Sequence, residues 1–260
     1  MKAIYERELK SYFYSMTGYV FIAFVTMFIG IYFMVYNMIN GYPYFSYTLS
    51  STLMILMIAV PILTMRSMSD ERRSRTDQML LTAPVSVWDI VLGKYLSMVT
   101  IFAIPMAIAC LCPLIIKANG TAYLAEDYAS ILAFFLMGCV YIAIGLFISS
   151  LTESQLIAAA GTFGILLLLI LWPGLLNFLP TTAYGSLAGL LILWSLVCFI
   201  LYRLTGHIPL SLGLEILGAA GLIGTYLINQ RLLEHGLKDI LEKIVLTDVF
   251  DSIVNTHILD

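Results

Sequence analysis

GYVFIAFVTMFIGIYFMVYNM, residues Gly18–Met38, runs without one charged side chain. A helix needs about 20 apolar residues to cross a hydrocarbon core about 30 Å thick, and this stretch has that length. A lipid-crossing backbone must satisfy its own hydrogen bonds, so it is either helical or part of a closed barrel. Barrel strands alternate polar and apolar residues in segments of about ten, a pattern this run lacks. It therefore predicts a membrane-spanning helix.

The rest of the chain repeats the pattern. At 61% hydrophobic and 11% charged residues, with a mean hydropathy of +0.96, the 260 residues fall far below the roughly 25% charge of a water-facing domain. Further windows run from about Leu49 to Met68, Ile90 to Ile116, Tyr128 to Leu151, Gln155 to Leu171, Ala183 to Leu204 and Leu210 to Ile228. The fold class is thus all-α, a polytopic bundle with about seven spans present. The organisation is an amphipathic helix over residues 1–17, a transmembrane domain over 18–230 and an amphipathic tail over 231–260. The first apolar stretch lacks a small-residue cleavage site and is a retained span. Cys110, Cys112, Cys139 and Cys198 lie inside apolar windows with neither disulfide nor zinc spacing.

Basic residues set the orientation. With the amino terminus in the cytoplasm, that side receives Lys2, Arg7, Lys10, Arg66, Arg72, Arg73, Arg75, Lys94 and Arg203. The outer side keeps Lys117, Arg231, Lys238 and Lys243, while carboxylates such as Glu126 and Asp127 gather there. The tail places Leu233, Leu237, Ile240, Leu241, Ile244 and Val245 on one helical face opposite Glu234, Lys238, Asp239 and Glu242, which suits an interfacial or docked helix.

The stretch SMSDERRSRTDQMLLTAPVSVWDIVLGKYLS, residues 67–97, is more elaborate than a connector needs. Asp70, Glu71, Arg72, Arg73, Arg75 and Asp77 precede the apolar Met79, Leu80 and Leu81, and Pro84 then disfavours helix at Ala83. The pattern predicts a surface-lying amphipathic helix whose charged side can engage a soluble partner. The plainer alternative is a topology-setting charge cluster.

The ERRS segment, the LLTAP run and the VLGK sequence resemble the signature of ABC type-2 permeases, most closely the gliding-motility type. The block YIAIGLFISSLTESQLIAA, Tyr141–Ala159, is similar to that family's join between fourth and fifth spans. The likeness covers about residues 1–170. Two positions depart from it: Arg75 stands where the family often has glycine, and Asp77 with Gln78 stand where a glutamate often precedes the leucine pair. The resemblance implies a dimer of permeases, with a second copy or a paralogue, in a bacterial inner membrane. A cytoplasmic ATPase dimer would drive it, docking on a coupling segment over residues 69–89, and an extracytoplasmic auxiliary protein would be a further partner. ATP and magnesium would belong to the ATPase. No G-x-x-x-x-G-K-[ST] occurs in the chain, and no cofactor, metal or nucleic acid is expected on it. The resemblance also puts Gly161 and Gly164 at the dimer interface and makes the segment after the fifth span, with Pro173 and Pro180, an outer gate. THILD, Thr256–Asp260, is similar to the family's approach to a closing span, which implies a further C-terminal helix.

Other residues read structurally. The windows leave Glu215 as the one ionisable residue placed inside a span, within reach of Arg203 or His207. Tyr32, Tyr36, Tyr42, Tyr44 and Tyr47 form an interfacial aromatic belt. Pro61, Pro105 and Pro113 are expected to kink their spans, and Gly213, Gly218, Gly221 and Gly224 to permit close helix contact. An integral-membrane enzyme is disfavoured because His207, His235 and His257 are scattered and no span carries aspartate. A secondary transporter is disfavoured by the absence of a repeat. The spans suit a lipid, lipid-linked or hydrophobic peptide cargo.

Overall fold

The computed structural model describes residues 2–75, 86–121, 123–178 and 183–205, together with Glu215, Gly218 and Leu241. Within these it is helical. The seventh window, the tail apart from Leu241, and Asp77, Met79, Leu80, Leu81 and Pro180 lie outside the described residues. Among the described residues five helical stretches are long and apolar enough to cross a membrane, and the chain divides into two compact units at the Ile170–Leu171 junction.

Helix α1, Lys2–Tyr14, ends where Ser15 turns extended. The Ser15 hydroxyl donates to the Tyr12 carbonyl at 3.3 Å, and α2, Met16–Phe33, starts at once. A Cβ on Gly18 would sit 2.8 Å from the Tyr12 carbonyl oxygen, so only glycine allows the chain to fold back so tightly. Phe21, Val25, Ile29 and Phe33 recur every fourth residue and form the buried stripe of α2. Its last turn widens into a π-helix, Met34–Ile39.

Helix α3, Ser46–Thr64, is the core element of the first unit. Two thirds of the apolar window containing it is buried, 67%. It packs against α2 on one side and against α7, Leu124–Leu151, on the other. The short α4, Ser69–Arg73, follows it. The third window is split: α5, Val87–Ala109, stops at Cys110 and Leu111, and α6, Cys112–Asn119, begins anew. Pro113, expected to kink a span, instead lies in the first turn of α6, where its missing N–H costs nothing. Pro61 and Pro105 do lie inside helices.

Two glycines of α7 set the packing. A Cβ on Gly138 would overlap the Phe102 ring of α5, and one on Gly145 would overlap the Thr64 side chain of α3. Phe102 in turn stacks on Phe135 at 5.7 Å between centroids. Close backbone approach of this kind is how helices associate in lipid, where burial from water gives no drive.

Helix α8, Gln155–Leu176, runs through Pro173 and past Leu171, where the sequence predicted a break. The WPG stretch is apolar, and a proline is tolerated inside a membrane-spanning helix where neighbouring groups or a local adjustment satisfy the backbone it frees. Only 17% of its window is buried, against 67% for that of α3, so α8 is the peripheral helix of the described spans. In the second unit, α9, Ala183–Thr205, fills the sixth window. There Trp172 Nε1 donates to the Leu241 carbonyl at 3.3 Å, and Leu241 is buried with Leu176. A Cβ on Gly218 would meet the Trp194 indole, in keeping with a close-contact glycine.

Candidate functional site

The residues flanking the second span assemble at one end of the first unit. Helix α1 lies along the start of α5: a Cβ on Gly93 would come within 3.1 Å of Ile4, and the Tyr5 hydroxyl is 3.0 Å from Thr100 Oγ1. Gly93 therefore lets α1 sit close enough for its acidic face to reach the neighbouring Lys94.

Lys94 is the buried charge of the site, 1% exposed. Its Nζ donates to the Ser67 carbonyl at 2.8 Å and lies 2.9 Å from Glu71 Oε1 and 3.4 Å from Glu8 Oε1. Arg7 closes the ring from outside, with Nη2 at 2.6 Å from Glu8 and 3.0 Å from Glu71. The hydrogen bond to Glu8 is the main reason the Arg7 guanidinium holds its proton more tightly than usual. Three elements of distant sequence are thus tied by two cations and two carboxylates. A buried ammonium is tolerable only with such partners.

A second set of contacts fixes α4 from the other side. Asp70 pairs with Arg66 at 3.3 Å and accepts a hydrogen bond from Gln155 at the start of α8. Ser149, at the end of α7, accepts from the Met68 and Ser69 amides at 3.2 and 3.3 Å. Tyr12 donates to the Leu63 carbonyl at 3.2 Å, and burial raises its phenol pKa. Arg7, Glu8, Arg66, Asp70, Glu71 and Lys94 border a cavity of about 400 Å³ with their charges balanced three against three.

The predicted coupling residues therefore separate. Asp70 and Glu71 pair with the protein's own cations, Glu71 at the buried Lys94 and Asp70 with its side chain partly exposed beside Arg66. Arg72, Arg73 and Arg75 are exposed. Instead of one long surface helix starting at Asp70, the described part of the segment is a five-residue helix, because Ser74 and Arg75 end it. Arg75 has φ 54°, in the left-handed region that favours glycine.

The sequence reading takes Lys94 as one of nine topology-setting basic residues and does not reach its role. The available signal was its place inside an apolar window, which demands carboxylates nearby. Asp127 was missed in the same way. In the first turn of α7 it is 1% exposed, and its Oδ1 accepts from the Phe45 amide at 2.7 Å. The statement that no span carries aspartate is thereby corrected. This contact closes the opposite end, where Asn37 Nδ2 donates to the Tyr42 and Tyr44 carbonyls and Tyr44 stacks on Tyr123.

Of the predicted interface and gate residues, Gly161 approaches Ile148, Gly164 has open space around it, and Pro173 lies within α8. No cluster of metal-ligating side chains occurs among the described residues. A family model described as ABC-2 family transporter protein matches residues 3–190. No curated protein and no solved structure matches the chain.

Proposed function

The chain belongs to the ABC-2 transporter family, a family of membrane transport components that are generally the permeases of ABC transporters, and from that premise we propose that it couples a separate ATPase to movement of its helices. The observation that carries this reading is the Lys94 network. The segment after α3 is bonded to α1 through Arg7, to α5 through Lys94, to α7 through Ser149 and to α8 through Gln155. A push on α4 therefore reaches four helices through hydrogen bonds and ion pairs, which is what a force-transmitting segment requires.

In this reading the α1–α4 end is cytoplasmic, in a bacterial inner membrane, as its concentration of basic residues favours. Two permease chains and two ATPase subunits form the working unit, of the gliding-motility type, and the ATPase holds ATP and magnesium. The work is export or a mechanical action on an extracytoplasmic partner. Segment 69–89 is the coupling segment, with its apolar Met79, Leu80 and Leu81. The exposed face of α8, including Gly164, meets the second permease, and Pro173 and Pro180 belong to the outer gate.

The test is co-purification with the ATPase encoded beside this chain. Replacing residues 72–81 by a glycine–serine stretch of equal length, which leaves Asp70 and Glu71 on their partners, should abolish the complex while the permease still inserts and folds. Retained assembly together with retained ATP-dependent function would reject the proposal.

A further inference from the structure

The cavity beside Lys94 is unevenly satisfied. At its buried end the ammonium has three partners, Glu8, Glu71 and the Ser67 carbonyl. At its rim Arg66 and Asp70, with side chains 48% and 36% exposed, meet only through Arg66 Nε at 3.3 Å. Arg66 Nη1 reaches the Thr17 hydroxyl at 3.5 Å, which leaves most of the guanidinium's donors over. Thr17 Oγ1 accepts from Arg66 and from Ser15 and has no acceptor for its own proton among the described residues. The Ser67 hydroxyl is buried beside the Tyr12 phenol without a hydrogen bond of acceptable geometry. Ser15 and Thr17 stand where α2 begins, and Arg66 and Ser67 just beyond the end of α3, so the cavity lies where two spans leave the apolar layer. Tyr14 and Met16, on either side of Ser15, are 90% and 83% exposed, as side chains set into lipid at a membrane interface are.

We infer that this cavity takes the head group of an ethanolamine phospholipid, its ammonium on Asp70 and its phosphate on Arg66 and Thr17, with the Ser67 hydroxyl as a further donor. The six charged groups of the lining cancel, so a bare anion or cation meets as much repulsion as attraction, whereas a ligand carrying both charges is matched. Asp70 and Arg66 are neighbours, so one short zwitterion can bridge them through charge-assisted hydrogen bonds. A choline head group has no N–H for a carboxylate and is held by aromatic faces, and the one aromatic residue of the lining, Tyr12, is 7% exposed. An anionic glycerol lipid brings the phosphate and leaves Asp70 unanswered. The volume of about 400 Å³ falls in the size range of small-molecule sites. A lipid seated there ties the α1–α2 elbow to the turn after α3. Such a site needs the spans to lie in a bilayer and needs no ATPase, so it stands or falls apart from the coupling reading.

The experiment is native mass spectrometry of the full chain released from nanodiscs that hold phosphatidylethanolamine, phosphatidylcholine and phosphatidylglycerol in equal amounts. The wild type should retain phosphatidylethanolamine about tenfold over phosphatidylcholine. D70N should retain these two alike, because the carboxylate that meets the ammonium is gone. R66Q and T17V should lose both, since both lipids carry the phosphate; T17V breaks no ion pair and carries the test if D70N or R66Q fails to fold. K10Q, which removes an exposed cation of α1 outside the cavity, should match the wild type. Equal retention of the three lipids by the wild type, or a preference kept by D70N, would overturn the proposal. Preference for phosphatidylglycerol would overturn it in favour of a plain anion site. An adduct of soluble phosphoethanolamine, added to nanodiscs of phosphatidylcholine alone, with no retention of phosphatidylethanolamine from the mixed ones, would overturn the lipid as its source.

Discussion

Lys94 ties together three elements of this molecule. Its ammonium is shared by carboxylates from α1 and α4 and by a backbone carbonyl, so removing it takes a buried cation from both acids at once. Breaking a buried pair costs about 3–5 kcal/mol, and partial solvent access of Glu8 and Glu71, 12% and 18% exposed, reduces this. K94M should destabilise the purified permease by about 2 kcal/mol, read as a lower midpoint of thermal unfolding in detergent. Arg75 offers the opposite trade. A left-handed non-glycine residue costs about 1 kcal/mol or more, so R75G should raise that midpoint. If segment 69–89 is the coupling segment, the same change should weaken capture of the ATPase; a lowered midpoint would contradict the backbone account.

At the scale of the helices, small residues set the contacts. Gly138 and Gly145 admit Phe102 and Thr64 into the face of α7, so G138L or G145V should destabilise the fold by about 1–3 kcal/mol or block its insertion, as overpacking does. Gly164, with nothing within 4 Å, should accept leucine without loss in the isolated subunit, and G164L should instead reduce cross-linking between permease copies if α8 is the dimer face. Five of the predicted windows coincide with described helical stretches to within about five residues, because uninterrupted hydropathy reports length directly, and the third is divided between α5 and α6. The misses have physical causes. Pro173 does not end α8, and a lipid-facing helix tolerates it; Pro113 does not bend a span, because α5 has already ended at Cys110. Hydropathy cannot separate two collinear helices from one bent helix.

For the whole molecule, the permease character was legible from composition and from the ERRS, LLTAP and VLGK stretches, and the family match over residues 3–190 agrees with it. The pairing of Glu8 with Lys94 was not legible. It depends on α1 folding back along α5 across Gly93, a tertiary event that no local pattern encodes. The pairing of Asp70 and Glu71 with the protein's own cations was hidden for the same reason. What results, within the first unit, is a bundle whose α1–α4 end is knit by ion pairs and whose opposite end is held by Asn37 and Asp127. The central claim is that the α1–α4 end receives the ATPase. Its most direct measurement is site-specific cross-linking, with Cys110, Cys112, Cys139 and Cys198 replaced and single cysteines placed at Arg72, Arg73 or, at the far end, Gly120. Cross-links to the ATPase at positions 72 and 73 that respond to ATP, with none at 120, are the predicted result; cross-links at 120 with none at 72 or 73 would contradict the account.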